Sequence, residues 1–292
     1  MNTETEPVQV VVPRKLNNIL NDLSAKDWIK ETVSVFVQKG LGANHKEAQI
    51  EKQHPAPYSF QDVARLINFF TKQGALVLDP FVGVGSTLKA CAVTSRKGIG
   101  IELNERFVEL CKRRLDEEIQ GNLMYELDQQ IIPGDALEIL KSFPDEKFDF
   151  VVTSPPYWNI LKKIDHKATQ ERLEKNLATD YGNDGRDPSS AESYEGFLKS
   201  LCSIFCEAAR TLKRNKYMCV VVSDFRHKND YFMFHADLAT RLTAYDLKLK
   251  GITILYQRHK RIFPYGYPYS YVPNIHHQYI LILQKVTPQI IL

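Results

Sequence analysis

Apolar and polar positions follow one another along most of this chain in a regular strand-then-helix order. Short, fully apolar runs are typical of buried parallel strands, whereas apolar residues three and four positions apart are typical of amphipathic helices. The strands predicted in this way are 75–78, 98–102, 130–133, 148–153, 217–223, 252–256 and 277–283. The helices predicted between them are 61–73, 87–94, 105–118, 194–212 and 234–245. This order predicts an α/β fold with a mostly parallel, seven-stranded sheet that carries helices on both faces.

The chain before this alternation has a different pattern. Residues 1–53 predict a polar arm followed by two short helices between residues 16 and 39. A length of 292 residues is long for one ordinary domain and short for two large ones. We therefore expect residues 54–292 to form a single domain and residues 1–53 to be appended to it.

Composition narrows the class of protein. Hydrophobic residues at 43% and charged residues at 25% are ordinary globular values and exclude collagen-like and disordered chains. A net charge of only +3 means that any anion-binding surface must be local. Five cysteines, without a CxxC pair or a matching histidine pair, predict reduced thiols and no metal site. Since there is neither a signal-peptide pattern nor a run of about 20 apolar residues, we expect a cytoplasmic protein without a membrane span.

The first strand of the alternation ends in Asp79, within the sequence DPFVGVGST. Gly83 and Gly85 permit a tight turn and a close approach of a ligand to the backbone. Asp79 and the amides of this turn can together meet a zwitterion. The dinucleotide pattern GxGxxG is not met, because Leu88 occupies the third glycine position, so an amino-acid-bearing nucleoside fits better than a pyrophosphate. An ordinary glycine-rich strand-to-helix turn is the alternative.

Acids end the next two predicted strands as well. Glu102 is the sole acid of GIGIE, and an acid at this point accepts hydrogen bonds from the two hydroxyls of a ribose in nucleotide-binding α/β folds. Asp135, within PGDA, can accept a hydrogen bond from an adenine amino group. Helix capping or turn chemistry also explains each acid taken alone. Acids at three successive strand ends together predict a pocket for S-adenosylmethionine.

The fourth strand ends in TSPPYW, residues 153–158. Two prolines hold the chain extended and leave carbonyl oxygens pointing outward. A planar base stacked on Tyr157 would place its exocyclic amine among acceptors at Ser154 and the Pro155 carbonyl, in line with a methyl sulfonium. No strong general base is required if the proton leaves after the nitrogen has become cationic. The alternative is a proline-terminated strand beside an aromatic core residue.

These motifs together resemble those of the DNA amino-methyltransferases of the N4-cytosine/N6-adenine group, which have the Rossmann-like class I S-adenosylmethionine-dependent fold. DPFVGVGST resembles the cofactor loop of that group, GIGIE its ribose-binding strand, TSPPYW its catalytic motif, and HPAPY (54–58) the segment over the methionine end of the cofactor. The resemblance implies that 54–292 is the catalytic domain and that the catalytic residues are Ser154, Pro155, Pro156 and Tyr157. It implies cofactor contacts for His54, Pro55, Tyr58, Asp79, Pro80, Phe81, Gly83, Gly85, Ser86, Thr87, Glu102, Leu103, Asp135, Ala136 and Ser154.

The resemblance also bears on the base that is methylated. Serine at the head of the catalytic tetrapeptide resembles the N4-cytosine members, whereas the adenine members more often carry Asp or Asn there. Many relatives with a serine motif place the catalytic half first, but here Asp79 precedes Ser154, so adenine N6 stays open beside cytosine N4. An RNA amino-methyltransferase and a non-catalytic nucleic-acid-binding module are weaker alternatives. Methylation at cytosine C5 needs a thiolate, typically presented after proline, and the chain has no Pro-Cys pair.

A base within a duplex reaches such a pocket only if its nucleotide is flipped out. In the segment 225–275, basic residues and a tyrosine-rich stretch can grip phosphates and stack on bases, although a tyrosine-rich loop packed on the core is the alternative. The charged stretch 159–193 predicts a mobile insertion that either contacts DNA or is merely solvated. The expected DNA contacts are Trp158, Arg226, Arg258, Lys260, Arg261 and Tyr265. A homodimer and a cognate restriction endonuclease are left open as further partners.

Overall fold

A central sheet of eight strands organises the part of the chain that the structure describes. The structure is a computed structural model, and it describes residues 17–40, 45, 48–56, 58–120, 128–158, 184–228 and 230–286. The sheet strands are β1 (Val35–Val37), β2 (Leu76–Asp79), β3 (Lys97–Glu102), β4 (Gln129–Pro133), β5 (Phe148–Thr153), β6 (Leu212–Val222), β9 (Leu247–Tyr256) and β10 (His277–Lys285). A separate hairpin consists of β7 (Phe225–His227) and β8 (Asp230–Phe232).

Helices connect these strands and cover both faces of the sheet. They are α1 (Ala25–Glu31), α2 (Ala48–Glu51), α3 (Phe60–Phe70), α4 (Ser86–Val93), α5 (Glu105–Leu115), α6 (Ala136–Ser142), α7 (Tyr194–Thr211) and α8 (Phe234–Leu242). A π-helical turn (Asp116–Gln120) follows α5, and a 3₁₀ turn (Pro188–Ser190) precedes α7. In the described residues no helix combines the length and the apolar character needed to cross a membrane.

The strand order of the sheet is β1-β9-β10-β6-β5-β2-β3-β4. Neighbouring strands are parallel except at β10, which runs antiparallel to both β6 and β9. From β2 the chain continues outward through β3 and β4, and it then returns to place β5 and β6 on the other side of β2. The strand order therefore reverses between β2 and β5. Open α/β sheets bind ligands in the crevice that such a reversal leaves at the carboxyl ends of the strands.

The core lies on both faces of the sheet and holds the strand ends in place. Along β5, Phe148 and Val151 belong to one hydrophobic cluster while Phe150 and Val152 belong to the other, and all four are fully buried. Residues of α6, α7 and α8 complete the first cluster, and residues of α3 and α4 complete the second. Burial of one such side chain contributes about 1.5–3 kcal/mol, so a packed core supports the loops that follow the strands.

The predicted α/β fold class is confirmed, and several elements are corrected. Residues 35–37, within the range expected to be helical, instead form the edge strand β1, where Val35 pairs in parallel with Ile254. β-branched residues favour an extended chain, and the partner strand lies too far along the sequence for a local pattern to reveal it. β1 therefore adds an eighth strand to the expected seven. The helix α6 and the β7–β8 hairpin were also not predicted, and β6 and β9 begin earlier than expected.

Candidate active site

A pocket opens at the carboxyl ends of the parallel strands, where the strand order reverses. We call it the strand-tip pocket. Its wall comes from loops that are far apart in the chain, so the fold brings together residues of several separate motifs. The lining residues that the sequence had singled out are His54, Pro80, Phe81, Glu102, Leu103, Asp135, Ala136, Ser154, Pro155 and Pro156.

Two glycines shape the loop between β2 and α4. The φ angle is +53° at Gly83 and +85° at Gly85, in the left-handed region that residues with a side chain rarely adopt. A Cβ atom at Gly83 would lie 3.1 Å from His54 Nε2, and one at Gly85 would lie 2.6 Å from Cys111 Sγ. The loop therefore passes between His54 on one side and α5 on the other with room only for glycine.

Asp79 lies behind the strand-tip pocket and not in its wall. Its side chain is fully buried. Its carboxylate accepts hydrogen bonds from the Phe81 amide (3.0 Å) and from the hydroxyls of Tyr58 (2.7 Å), Thr87 and Thr153. Burial raises the pKa of the Asp79 carboxyl, and these four hydrogen bonds oppose the rise. The position does not support the expected contact with a cofactor ammonium; instead, Asp79 ties β2, α4 and β5 together beneath the pocket.

Glu102 joins the end of β3 to the glycine loop. Its two carboxylate oxygens accept hydrogen bonds from the backbone amides of Gly83 (2.9 Å) and Asn104 (2.8 Å). Burial raises the pKa of Glu102 to about 7, although the two backbone hydrogen bonds act in the opposite direction. A carboxylate accepts about four hydrogen bonds. Glu102 therefore has acceptor capacity left for a ligand in the pocket that it lines.

Asp135 caps the first turn of α6 from the pocket wall. Its Oδ1 atom accepts hydrogen bonds from the amides of Leu137 (2.8 Å) and Glu138 (3.2 Å). Its Oδ2 atom accepts none from any residue within the described ranges, so this oxygen is available to a donor on a ligand. The described residues contain no group of three or more His, Cys, Asp or Glu side chains placed to hold a metal ion.

Residues 154–157, which we call the base strip, follow β5 directly. The first three line the strand-tip pocket, and Tyr157 lies next to them. The Tyr157 hydroxyl accepts a hydrogen bond from Gln278 Nε2 (3.4 Å) and is also hydrogen-bonded to the Ser154 side chain. Its ring meets the ring of Phe234 edge-on at a centroid distance of 6.2 Å. Burial raises the pKa of the Tyr157 hydroxyl, which is thus an anchored, un-ionised group beside the pocket.

Trp158 is buried, although the sequence had placed it among the DNA contacts. Its side chain is 7% exposed, and its indole Nε1 donates a hydrogen bond to the Ala191 carbonyl (2.8 Å). The ring packs against Tyr194 and His227 at centroid distances of 5.6 and 4.8 Å. A large ring with a satisfied indole N–H is stabilised by this packing. The structure therefore gives Trp158 a core position and does not support its contact with DNA.

Two further predicted cofactor residues, Ser86 and Pro55, lie outside the wall of the strand-tip pocket, whereas His54 is part of it. Ser86 is buried, and its hydroxyl accepts a hydrogen bond from the fully buried Arg114 (3.1 Å). Pro55 follows His54 but is not part of the lining. The His54 ring packs on Phe107 at a centroid distance of 4.7 Å, which holds the imidazole over the glycine loop.

The lining residues that sequence reasoning missed include Arg186, Asp187 and Pro188. The Arg186 guanidinium binds the Asp184 carboxylate through Nε (3.0 Å) and Nη2 (2.6 Å). Asp187 accepts a hydrogen bond from the Ser189 amide (2.7 Å) and thereby starts the 3₁₀ turn. The DPSS sequence is a recognisable turn signal, but it does not reveal which surface the turn faces. The rest of the expected insertion, residues 159–183, lies outside the described residues.

Residues 258–271 form a basic and aromatic surface. Arg258, Lys260 and Arg261 are exposed, and Tyr265 is 37% exposed. The next three tyrosines, Tyr267, Tyr269 and Tyr271, are 82%, 94% and 90% exposed. We call residues 263–271 the tyrosine loop. The rings of Tyr267, Tyr269 and Tyr271 are not packed on the core, so the alternative of a core-packed tyrosine loop is excluded for these three residues.

The tyrosine loop is fixed at its base by two side chains. The Asn274 side-chain amide donates to the Phe263 carbonyl (2.8 Å) and accepts from the Phe263 amide (2.9 Å). Arg226 donates from Nη1 to the Pro273 carbonyl at 2.6 Å. Arg226, expected among the DNA contacts, is therefore a half-buried brace of this loop.

The chain matches a known family over most of its length. The family model N6_N4_Mtase, described as DNA methylase, matches residues 6–113 and 148–289. Type II methyltransferase M.MthZI of Methanothermobacter thermautotrophicus is 31% identical over 153 residues, which are 51% of this chain and 41% of that protein. Type II methyltransferase M.HpaI of Haemophilus parainfluenzae is 40% identical over 70 residues, 24% of this chain and 22% of that protein. The similarity thus spans less than half the length of these two curated relatives.

One solved structure resembles this chain over a larger share of its length than these two relatives do. TrmN from Thermus thermophilus has a TM-score of 0.50 and 15% identity, with 82% of this chain and 53% of that chain covered. At this identity the likeness concerns the fold alone. Together with the family match, it confirms the fold class that the motifs had predicted.

Proposed function

Because the chain belongs to the N6/N4 DNA methylase family, we propose that it transfers the methyl group of S-adenosylmethionine to the exocyclic N4 of cytosine in DNA. The observation that carries this proposal is that two sets of residues share one pocket. Glu102 and Asp135 line the strand-tip pocket together with residues 154–156 of the base strip. Methyl transfer from a sulfonium to an amine depends chiefly on the alignment of the two reactants, which a shared pocket supplies.

The residues at the strand tips fit S-adenosylmethionine. Glu102 would accept hydrogen bonds from the ribose hydroxyls, and Asp135 Oδ2, which has no partner within the described residues, would accept from the adenine amino group. Gly83 keeps the loop backbone open beside His54, where the family motif places the methionine end of the cofactor. When bound, the cofactor supplies an electrophilic methyl group on a positively charged sulfur.

The base strip would hold the acceptor. The Ser154 hydroxyl and the Pro155 carbonyl would accept hydrogen bonds from the exocyclic amine and orient its lone pair toward the cofactor side of the pocket. Tyr157 would stack on the base, and the hydrogen bond from Gln278 already fixes its hydroxyl. The buried rings of residues 155 and 156 exclude water from this side of the pocket.

DNA would approach from the side of the tyrosine loop. This loop lies shortly before β10 in the chain, and Gln278 near the start of β10 contacts Tyr157, which supports a place for the loop on the same side of the sheet as the base strip. Basic residues of the segment 258–261 would bind phosphates, since they are exposed. The exposed tyrosine rings would stack on bases or fill the gap that a flipped nucleotide leaves.

Cytosine N4 is favoured because serine heads the catalytic tetrapeptide, and adenine N6 is the second candidate because the family includes both reactions. Several expectations from the sequence stay predictions. These are the division of the chain at residues 53 and 54, a cytoplasmic location, a homodimer and a cognate restriction endonuclease.

A labelled-methyl transfer assay that offers DNA, RNA and protein together tests the substrate class, and mass spectrometry of the digested DNA identifies the methylated nucleoside. We expect label in DNA alone, as N4-methylcytosine. N6-methyladenine would support the second candidate, and label in RNA or protein alone would refute methylation of DNA.

The assignment of the base strip is tested by Ser154→Ala, with Ser203→Ala on the exposed face of α7 as the matched control. We expect Ser154→Ala to abolish transfer while the affinity for S-adenosylmethionine stays nearly unchanged, and Ser203→Ala to behave as the wild-type enzyme. An equal loss of transfer and cofactor affinity in Ser154→Ala would argue against its place on the base side.

A further inference from the structure

A buried aspartate just after β6 pairs with a half-buried histidine of α8. Asp224 is 4% exposed, and its Oδ1 atom accepts hydrogen bonds from His235 Nδ1 (2.6 Å) and from the His235 amide (3.2 Å). Its Oδ2 atom accepts a hydrogen bond from the Tyr231 hydroxyl (3.2 Å). The His235 ring stacks on Tyr279 at a centroid distance of 3.7 Å and an interplanar angle of 13°. The imidazole is therefore fixed by its Nδ1 edge and by one of its faces.

This pair borders the base strip. Tyr157 contacts the backbone of Ser223 just after β6, the ring of Phe234 in α8 and the side chain of Gln278 in β10. In the chain, these three residues directly precede Asp224, His235 and Tyr279. The charge of Asp224 adds to burial in raising the pKa of the Tyr157 hydroxyl, which also reflects this proximity.

The hydrogen bond to Asp224 determines what the other imidazole nitrogen can do. A carboxylate on Nδ1 favours the tautomer with the proton on that nitrogen, which leaves a lone pair on Nε2. Nε2 is hydrogen-bonded to no residue within the described ranges, and it is not among the buried polar atoms that lack a partner. It is therefore an accessible acceptor beside the position proposed for the target base.

We propose that His235, held by Asp224, accepts the proton that the target amine must lose, and this inference rests on the proposed function. The amine nitrogen forms a bond to the methyl carbon, the carbon–sulfur bond breaks, and its electron pair stays on the sulfur of the neutral thioether product. The nitrogen then carries one proton too many. That proton passes to His235 Nε2, and the resulting imidazolium is stabilised by the Asp224 carboxylate before it releases the proton to water.

A purely structural role is the competing explanation, because Asp224 also accepts the amide of His235 in the first turn of α8. Replacement by asparagine separates the two roles. The short amide of His235→Asn can still donate to Asp224 from the position of Nδ1, but it has no atom at the position of Nε2. The matched control is His276→Asn. His276 lies just before β10, and its Nδ1 atom is hydrogen-bonded to the Asn274 carbonyl (3.2 Å).

The test is single-turnover transfer of labelled methyl groups to DNA between pH 5.5 and 9, together with the affinities for cofactor and DNA. For His235→Asn we expect a loss of about a hundred-fold in rate with both affinities retained, and a flattened acid side of the pH profile. Added imidazole should restore part of the rate of His235→Ala, and His276→Asn should match the wild-type enzyme. The titratable groups that face His235 are Asp224, Tyr279 and His277, and Tyr231 is hydrogen-bonded to the same Asp224.

Two outcomes separate the failure of this inference from failure of the proposed function. If wild-type enzyme and His235→Asn transfer methyl groups to DNA at equal rates with the same pH profile, His235 is not the proton acceptor. The inference would also be overturned if His235→Asn loses rate but keeps the wild-type pH profile, and if added imidazole does not restore the rate of His235→Ala. That combination would support the structural role. Absence of transfer by the wild-type enzyme would overturn the proposed function, and the inference with it.

Discussion

The affinity for the cofactor should depend on pH through Glu102. Burial raises the pKa of this carboxyl from the ordinary 4.5 to about 7, so the ligand-free protein holds it partly protonated near neutral pH. Only the carboxylate can accept two ribose hydroxyls while it keeps its hydrogen bonds to the amides of Gly83 and Asn104. Binding therefore selects the ionised form. The affinity should fall about tenfold from pH 8 to pH 6, because the ionised fraction falls from about nine tenths to about one tenth.

Isothermal titration calorimetry with S-adenosylhomocysteine, in two buffers of different ionisation enthalpy, measures the affinity and the protons released on binding. The wild-type protein should release close to one proton near pH 6. Glu102→Gln should bind weakly at every pH and release none. Asp135→Asn, at the other acid of the pocket, is the matched control and should lose affinity but keep the pH dependence. An affinity that is equal at pH 8 and pH 6, or an unchanged pH dependence in Glu102→Gln, would refute this reasoning.

The raised pKa of Glu102 also makes the free energy of unfolding depend on pH. Its pKa is higher in the folded than in the unfolded chain, so its contribution is complete below about pH 4.5 and is lost as pH rises through about 7. The difference between the two pKa values corresponds to about 3 kcal/mol in the free energy of unfolding. Urea unfolding between pH 4.5 and 8 should show this loss in the wild-type protein and a smaller one in Glu102→Gln; parallel curves would contradict it.

Three further predictions concern the glycine loop, the unpredicted pocket wall and the tyrosine loop. Gly85→Ala, which places a Cβ 2.6 Å from a sulfur at φ +85°, should lower the free energy of unfolding by about 2 kcal/mol more than Gly74→Ala, where φ is +76° and the space is open. If urea unfolding shows the same loss of stability in Gly85→Ala and Gly74→Ala, the contact with the sulfur contributes nothing beyond the strain of the positive φ angle. Arg186→Ala should weaken cofactor binding about tenfold and leave the affinity for DNA unchanged. The control Arg113→Ala, on the exposed face of α5, should change neither affinity. If calorimetry shows an unchanged cofactor affinity in Arg186→Ala, Arg186 does not belong to the cofactor site. Tyr269→Ala, at a side chain that is 94% exposed, should leave unfolding within about 0.5 kcal/mol and weaken DNA binding by about 1–3 kcal/mol in an anisotropy titration, and full affinity would contradict the stacking role.

The residues that the sequence placed correctly at the pocket are those whose positions follow from a strand end. Glu102 ends its strand, Ser154 directly follows one and Asp135 lies two residues after one, and the carboxyl ends of parallel strands meet at one edge of a sheet. The expectation of a mostly parallel α/β sheet was therefore enough to bring them together. The same reasoning could not show that Asp79 lies behind the wall, because its burial depends on three hydroxyls from separate elements.

The features that were missed depend on contacts between distant parts of the chain. Arg186 and Asp187 belong to a charged stretch whose local pattern indicates solvent exposure, and only the fold turns it toward the pocket. Trp158 follows a motif that was expected to face the substrate, yet it is buried against the carbonyl of Ala191 and the ring of Tyr194. β1 is three residues long, and its partner β9 lies about 200 residues later, as the pairing of Val35 with Ile254 shows.

The buried carboxylate of Asp79 supports both halves of the strand-tip pocket, the glycine loop and the base strip. Through Thr87 it holds the helix behind the glycine loop, and through Thr153 it holds the residue that immediately precedes Ser154. Under the proposed function, the separation of the two reactants would consequently be set in the buried interior, away from the exposed tyrosine loop. In such an architecture, surface loops can change to recognise other DNA sequences while the relative positions of the reacting atoms stay the same.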